Sequence, residues 1–227
     1  MVGKLYVVGT PIGNLADFTF RAKEILSKVS IIAAEDTRIS TKLLKHYNIK
    51  APLVSYHDNN EKFKANKLIE RLKSGEDIGL VSDAGTPCIS DPGYRVVNLA
   101  RTEGIEVIAI PGPSSVISAL SISGIPTDHF YFEGFLPHKK GRQTRFKQLE
   151  SISATIIIFE SPKRVIRTLN DIQNYWGNRI VSICRELTKI YEETFLGSIS
   201  ESILYFSKSN PKGEFVIMVS KKGYSLD

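Results

Sequence analysis

The sequence contains little cysteine. Among its 227 residues only Cys88 and Cys184 are cysteines, and neither has a histidine or a second cysteine at the spacing of metal ligands. This scarcity argues against a zinc site and against a framework of disulfides. We expect each cysteine to be a small buried apolar residue.

Long apolar runs are also absent. No window approaches the roughly 20 uninterrupted apolar residues that a membrane-spanning helix requires. The chain passes from Met1 directly into an apolar segment, without the pattern of a signal peptide. We therefore expect a cytoplasmic protein with no membrane partner.

Acidic residues are fewer than basic ones, since 24 Asp and Glu oppose 30 Lys and Arg, for a formal charge of +6. Much of the excess lies in the segment 138–147, which contains five basic residues and no acidic one. A basic loop of this kind is typical of a surface that binds a polyanion. The alternative is a solvated, mobile surface segment without a partner.

The first half of the chain alternates short apolar segments with segments of helical spacing. This alternation predicts a largely parallel sheet with helices packed on it. After a linker at 124–128, the second half has more aromatic residues and fewer crossovers, which predicts a mixed sheet. The sequence thus predicts two α/β domains, 1–125 and 126–227. The predicted strands are 4–8, 31–34, 53–57, 78–81, 106–110, 130–135, 155–159, 180–184, 194–197 and 215–220.

Three of the predicted strands end in loops of glycine, proline and hydroxyl-bearing residues, at 9–15, 82–93 and 111–115. Carboxyl ends of parallel strands meet at one sheet edge, so these loops should converge. Their spacing is not that of a dinucleotide fingerprint, and none carries the lysine of a P-loop. They predict a ligand with a carboxylate, a hydroxylated ribose and an apolar middle, bound in a cleft between the domains.

Polar residues at two strand ends are further candidates. Glu35, Asp36, Thr37 and Arg38 follow the second strand, where they form either a ligand site or an ordinary helix cap in which Arg38 pairs with an acid. In the loop 82–93, two aspartates offer oxygens to a ligand hydroxyl or amine, or else serve as turn and cap residues. These aspartates are Asp83 and Asp91.

Eight motifs along the chain resemble, in the same order, those of the ribosomal RNA small subunit methyltransferase I family, within the tetrapyrrole methylase superfamily. The resemblance covers nearly the whole chain. It implies two α/β domains with S-adenosylmethionine in the cleft between them, a homodimer, and methyl transfer to the ribose 2′-hydroxyl of a cytidine in small-subunit (16S) RNA or the assembled subunit. The motifs are VGTPIGNL (8–15), AEDTR (34–38), SDAGTPCISDPG (82–93), PGPSS (111–115), FEGFLP (132–137), ESPKR (160–164), RELTK (185–189) and KGEF (212–215).

The resemblance also implies which residues contact the cofactor: Pro11, Ile12, Gly85, Thr86, Pro87, Ile89, Ser114, Ser115, Phe159 and Leu187. A ribose hydroxyl is a weak nucleophile and needs a proton acceptor. The sequence favours the group Glu35 to Arg38, with Asp36 as the first candidate. Glu186 and Lys189 are the other candidates, Lys189 only if it is neutral, and a structural ion pair between these two is the alternative.

Basic residues are the candidates for RNA phosphates, and they are Lys139, Lys140, Arg142, Arg145, Lys163 and Arg164. Phe135, Phe146 or Tyr131 is a candidate to stack on a displaced base, with burial in the core as the alternative. Two rival functions stay open at this point. One is a superfamily relative that methylates a tetrapyrrole or a protein side chain, and the other is a non-catalytic RNA-binding assembly factor.

Overall fold

The computed structural model describes residues 1–208 and 212–226. The chain forms two compact units, Met1–Ser114 and Ser115–Asp227, each described here by itself. The boundary predicted after residue 125 lies beyond the first helix of the second unit. That helix packs against the last strand of the second unit, which is why it belongs there.

The first unit is a parallel five-stranded sheet with helices between its strands, as predicted. The strand order is β3-β2-β4-β1-β5, and every neighbouring pair is parallel. Apolar clusters cover both faces of the sheet, so the strands read as nearly continuous apolar runs. The elements are β1 (Leu5–Val8), α1 (Phe20–Lys28), β2 (Ile31–Ala34), α2 (Thr37–His46), β3 (Leu53–Ser55), α3 (Glu61–Lys73), β4 (Ile78–Val81), α4 (Tyr94–Thr102) and β5 (Val107–Ile110).

Local signals account for several helix boundaries. Thr19 caps α1, because its hydroxyl accepts the N–H of Ala22 at 3.1 Å. The turn before it, Leu15–Asp17, is a separate 3-10 helix. In α3 the side chain of Phe63 is 66% exposed. The buried residues Ala65, Leu68, Ile69 and Leu72 define the opposite face of that helix.

The second unit contains a mixed five-stranded sheet, again as predicted. The strand order is β6-β7-β10-β8-β9, in which only β6 and β7 are parallel. The elements are α5 (Ser115–Ser121), β6 (Phe130–Phe135), α6 (Arg142–Glu150), β7 (Thr155–Glu160), α7 (Val165–Trp176), β8 (Ile180–Arg185), β9 (Glu193–Ser198), α8 (Ile199–Ser207) and β10 (Phe215–Val219).

The basic segment predicted as a loop is partly helical. Its second half forms the start of α6, in which Arg142, Phe146 and Leu149 are buried at the spacing of one helix face. Because an arginine occupies the first of these three positions, the apolar periodicity was hidden in the sequence. Next to this face, the only tryptophan of the chain, Trp176, is 5% exposed, and its indole N–H donates to the Phe146 carbonyl at 2.8 Å.

A buried polar network joins α6 to α7 and to the end of β7. The Arg142 guanidinium donates to Asp171 at 2.8 Å and to the Thr168 hydroxyl at 2.8 Å. Thr168 donates in turn to Glu160 at 2.6 Å. Glu160 also pairs with Arg164 at 2.7 Å, and its own side chain is fully buried. The charges of this network are therefore satisfied within the fold.

We predict that Arg142→Met lowers the free energy of unfolding by about 3–5 kcal/mol, because it leaves buried acceptors without their donor. Arg167→Met is the matched control, since Arg167 lies 4.0 Å from the same Asp171 carboxylate but is 57% exposed. It should cost less than about 1 kcal/mol. Urea unfolding of both variants checks this, and equal losses would contradict a structural role for Arg142.

Candidate functional site

The loops at the carboxyl edge of the first sheet are joined to one another. Thr10, after β1, exchanges two backbone hydrogen bonds with Gly85, after β4, at 2.8 and 3.1 Å. The Thr10 hydroxyl donates to the Ser82 carbonyl at 3.2 Å. The two loops therefore hold each other in place through backbone groups.

The loop after β5 packs on the loop after β1 through two glycines. A Cβ atom at Gly9 would lie 2.8 Å from the Cα of Gly112, so a side chain at this position would force the two loops apart. The Thr86 hydroxyl lies 3.5 Å from the Pro113 carbonyl, which links the third loop to the same group. The three proline and glycine loops thus converge at one edge, as the parallel order requires.

The loop after β4 adopts a strained backbone. Cys88 and Ser90 are in the left-handed region, with φ of 74° and 62°. A left-handed residue with a side chain costs about 1–2 kcal/mol. Gly93, with φ of 140°, cannot be replaced cheaply, because a Cβ there would lie 2.6 Å from the Cys88 sulfur. Strain of this kind concentrates at functional sites.

Two acids tie the loop after β2 to the loop after β4. The Asp83 N–H donates to the Glu35 carboxylate at 3.2 Å, and the Asp36 N–H donates to the Asp83 carboxylate at 2.9 Å. Each loop therefore supplies a carboxylate to the backbone of the other. The sequence predicts Asp83 only as a ligand-binding or turn residue. Its contact with Glu35 could have been predicted from the position of both residues at the ends of parallel strands.

These carboxylates lie close together in a partly buried place. Burial is the largest cause that raises the pKa of Glu35 and of Asp83 above their usual values, and neighbouring carboxylates add to it. Burial likewise raises the pKa of Asp91 to about 6. Within residues 1–208 and 212–226, none of the three forms an ion pair with a basic side chain. Of the interpretations open for Asp91, capping of the next helix is excluded, because Gly93 is the N-cap of α4.

Unlike the carboxylates of Glu35 and Asp83, the Asp36 carboxylate is paired with a basic side chain. Its carboxylate caps α2 by accepting the Arg38 N–H at 2.8 Å, and it accepts two further hydrogen bonds from the Arg38 guanidinium. The hydrogen bonds to the Arg38 side chain are the main reason that the pKa of Asp36 falls to about 2. The cap interpretation therefore holds for Asp36 and Arg38. A carboxylate this acidic is a poor proton acceptor.

The residues expected to contact the cofactor in the first unit lie on the joined loops. Ile12 is 8% exposed and packs over Gly85, since its Cγ2 would be 3.3 Å from a Cβ placed there. Pro87 is buried as well, whereas Ile89 is 50% exposed. Ser114 ends the first unit, and Ser115 begins α5 directly after it.

Phe159 and Leu187, the cofactor residues expected in the second half of the chain, lie in the second unit. Phe159 is half-buried, and its ring meets the Phe132 ring nearly edge-on at 4.9 Å between centroids. Leu187 is 8% exposed and sits between Glu186 and Thr188, whose φ values of 52° and 65° are left-handed. This second strained loop coincides with the RELTK motif.

Glu186 and Lys189 form an ion pair at 2.9 Å, and Lys189 pairs with Glu214 at the same distance. Burial opposes the charge on Lys189, but the hydrogen bonds to the two glutamates outweigh it and raise the pKa of its ammonium group. Lys189 is therefore charged at neutral pH. The structure matches the ion-pair alternative rather than a neutral lysine base.

Three of the six predicted RNA-binding residues have guanidinium groups that are paired with carboxylates inside the fold. Arg142 and Arg164 are held in the network around Glu160, and Arg145 donates two hydrogen bonds to Glu133 at 2.7 and 2.5 Å. The segment 138–147 has no acidic residue of its own, but its arginines pair with Glu133 of β6 and Asp171 of α7. Lys139, Lys140 and Lys163 are exposed. Of the candidate stacking residues, Phe146 is fully buried, Tyr131 accepts a hydrogen bond from Arg145, and Phe135 is 57% exposed.

Within the described part of the chain, no group of three His, Cys, Asp or Glu side chains is arranged to hold a metal ion. Across the same residues, no helix has the length and apolar character to cross a membrane. The two cysteines are free, with Cys184 buried and Cys88 half-buried.

Two comparisons of structure establish the type of fold. The uroporphyrin-III-C-methyltransferase of Thermus thermophilus superposes with a TM-score of 0.64 at 17% identity, covering 95% of this chain and 94% of that one. A cobalt precorrin-4 methyltransferase superposes with a TM-score of 0.68 at 15% identity, covering 96% and 94%. At such identities the likeness concerns the fold alone.

Comparisons of sequence identify relatives at much higher identity. The ribosomal RNA small subunit methyltransferase I of Thermotoga maritima is 48% identical over 221 residues, which are 97% of this chain and 100% of that protein. The enzyme of the same name from Halalkalibacterium halodurans is 49% identical over 226 residues, or 99% and 78%. That of Escherichia coli O157:H7 is 47% identical over 221 residues, or 96% and 77%.

A family model agrees with both comparisons. It matches residues 4–202, which include every joined loop of the first unit and the RELTK loop of the second. The chain belongs to the family of tetrapyrrole (corrin/porphyrin) methylases.

Proposed function

We propose that this protein is an S-adenosylmethionine-dependent methyltransferase that modifies the ribose 2′-hydroxyl of a cytidine in small-subunit ribosomal RNA. The observation that carries the proposal is the group of half-buried carboxylates, without basic partners, at the edge where the rigid loops meet. Relatives at 46–49% identity, whose matches span 95–99% of this chain and which are all named for small-subunit ribosomal RNA, support the substrate.

The residues at this edge fit the cofactor. S-adenosylmethionine supplies a methyl group on a positively charged sulfur, and it also carries an ammonium group. Glu35, Asp83 and Asp91 offer negative charge, since none of them forms an ion pair within residues 1–208 and 212–226, and the hydroxyls of Thr86 and Ser115 suit a carboxylate. Of the residues that the resemblance implies, those at this edge are Pro11, Ile12, Gly85, Thr86, Pro87, Ile89, Ser114 and Ser115, whereas Phe159 and Leu187 belong to the second unit and stay predictions.

Glu35 is the best proton acceptor among the four candidates Glu35, Asp36, Glu186 and Lys189. Its pKa is raised by burial and no basic side chain pairs with it, whereas Asp36 is held by Arg38 and Glu186 by Lys189. The cofactor, when bound, would supply the methyl group and keep its sulfur as a neutral thioether once the bond to the methyl carbon breaks. The Glu35 carboxylate would take the proton that the ribose hydroxyl loses. Asp36 then acts as a positioning residue, because it fixes the exposed Arg38 guanidinium where a phosphate can bind it.

The rival functions are less well supported. A tetrapyrrole substrate rests on structures at 15–17% identity, whereas the RNA substrate rests on relatives near 48%. A non-catalytic RNA-binding factor would have no reason to keep three carboxylates partly buried without partners. The homodimer implied by the resemblance and the cytoplasmic location expected from the sequence stay predictions.

Transfer of labelled methyl from S-adenosylmethionine tests the function. Purified protein is given naked small-subunit RNA and, separately, assembled small subunits that lack the modification. Ribose methylation of one cytidine, mapped by mass, is the expected result, and it also identifies the substrate form. Absence of transfer to both would overturn the proposal.

We predict that Glu35→Gln lowers kcat by about 10²- to 10⁴-fold, because the hydroxyl loses its proton acceptor. Asp36→Asn should mainly weaken RNA binding, since it frees Arg38. Glu106→Gln is a matched control, because Glu106 immediately precedes β5, at the opposite edge of the same sheet. Wild-type turnover in Glu35→Gln would remove Glu35 from the mechanism.

The carboxylates also predict how stability depends on pH. Burial, together with the charges of Asp83 and Asp58, raises the pKa of Asp91 from 3.8 to about 6, although a hydrogen bond with Ser82 opposes the rise. Between these pH values the folded chain retains a proton that the unfolded chain has lost, so stability falls as pH rises.

We therefore predict that Asp91→Asn is more stable than the wild type at pH 7 by on the order of 2 kcal/mol, and that this difference shrinks towards pH 4. Urea unfolding of both proteins at several pH values measures the difference. Parallel pH curves for the two proteins would show that Asp91 ionises in the folded state as freely as in the unfolded one.

A further inference from the structure

A cavity of about 290 Å³ opens on the second unit at the start of α6. Its wall contains Lys139, Arg142 and Phe146 from the segment around α6, and Arg167, Asp171 and Tyr175 from α7. Arg167, Asp171 and Tyr175 have no part in the site described above. The volume is close to the roughly 300 Å³ at which small-ligand pockets begin.

The cavity wall carries a surplus of positive charge. The Asp171 carboxylate accepts a hydrogen bond from buried Arg142 at 2.8 Å, and Arg167 reaches it only at 4.0 Å. Lys139 forms no ion pair with any acidic side chain in 1–208 or 212–226. The wall thus contains three basic residues and only one carboxylate.

The network behind the wall does not remove this surplus. Arg142 reaches Glu160 only through the Thr168 hydroxyl, and Glu160 is already paired with Arg164. Asp171 and Glu160 therefore balance two of the four guanidinium and ammonium groups in this region. The charges that remain are those nearest the solvent, on Lys139 and Arg167.

An aromatic ring lies beside these charges. Tyr175 is half-buried and stacks on the fully buried Phe146, with ring planes 13° apart and centroids 5.3 Å apart. This packing fixes the orientation of Tyr175 in the wall. A fixed aromatic ring next to basic groups is the arrangement that proteins use for unpaired nucleotides, whose bases stack while the phosphates bind the cations.

We propose that this cavity binds one nucleotide of the single-stranded RNA substrate, with its phosphate at Lys139 and Arg167 and its base against Tyr175. The proposal rests on the function proposed above, which makes RNA the substrate. Arg142 and Asp171 act as positioning residues, since their buried pair holds the wall in place. The cavity contributes to binding and not to the chemical step, so its loss should raise KM and leave kcat nearly unchanged.

The test compares the full-length wild type with Lys139→Gln/Arg167→Gln. We expect the variant to bind a short single-stranded RNA of mixed sequence about tenfold more weakly at low salt. The slope of log K against log salt should fall by about 0.7 for the one phosphate contact that is lost. Lys208→Gln/Lys222→Gln is the matched control, because it removes the same charge from exposed lysines of the same unit outside the cavity.

A third variant separates the base from the phosphate. Tyr175→Leu should weaken RNA binding by about tenfold without changing the salt slope, because stacking involves no counterion release. Urea midpoints confirm that each variant is folded. Inorganic phosphate and cytidine monophosphate, added as competitors, distinguish a site for RNA from one for a free nucleotide.

RNA affinity and salt slope equal to those of the control variant would overturn the inference. Strong binding of cytidine monophosphate with unchanged RNA affinity would overturn it too, since the cavity would then serve a free nucleotide. The transfer of labelled methyl by the wild type is read independently. Lack of transfer together with the predicted change in salt slope would overturn the proposed activity and leave the RNA site in place.

Discussion

The Asp83 N–H donates to the Glu35 carboxylate, and the Asp36 N–H donates to the Asp83 carboxylate. The candidate site depends on this exchange of hydrogen bonds between two loops. It fixes the loops after β2 and β4, and the Thr10–Gly85 bridge and the Gly9–Gly112 contact fix the loops after β1 and β5 to them. The exchange also brings the Glu35 and Asp83 carboxylates together, and within residues 1–208 and 212–226 neither forms an ion pair, which costs stability. The apolar clusters on both faces of the sheet offset that cost. A cationic ligand would relieve it directly.

In the second unit, by contrast, the side chains of one buried charged group are paired with one another. Around Glu160 and Asp171, buried arginines and carboxylates neutralise each other inside the fold, and surplus positive charge is left at the surface. One unit thus concentrates uncompensated negative charge at a sheet edge, and the other presents positive charge beside an aromatic ring. The first arrangement suits a cationic cofactor and the second a polyanion, so the two electrostatic patterns agree with the two ligands that a ribosomal RNA methyltransferase must bind.

The sequence predicted the fold well, because strand alternation and loop composition are local signals. Both sheets were predicted with their parallel and mixed character, and the three loops of the first unit converge as the parallel order requires. The predictions that failed depend on contacts between distant residues. Arg142 looked like a surface base because its partners, Asp171 and Thr168, are more than twenty positions away. The raised pKa of Asp91 likewise depends on burial that spacing alone does not reveal.

The position of the single tryptophan has a practical consequence. Trp176 is buried under α6, hydrogen-bonded to Phe146 and adjacent to Tyr175, and all three belong to the second unit. Indole fluorescence of this protein therefore reports on the second unit alone, whereas far-ultraviolet circular dichroism reports on both units. Comparing the two signals during denaturation would reveal whether the units unfold together or in sequence, without any label being introduced.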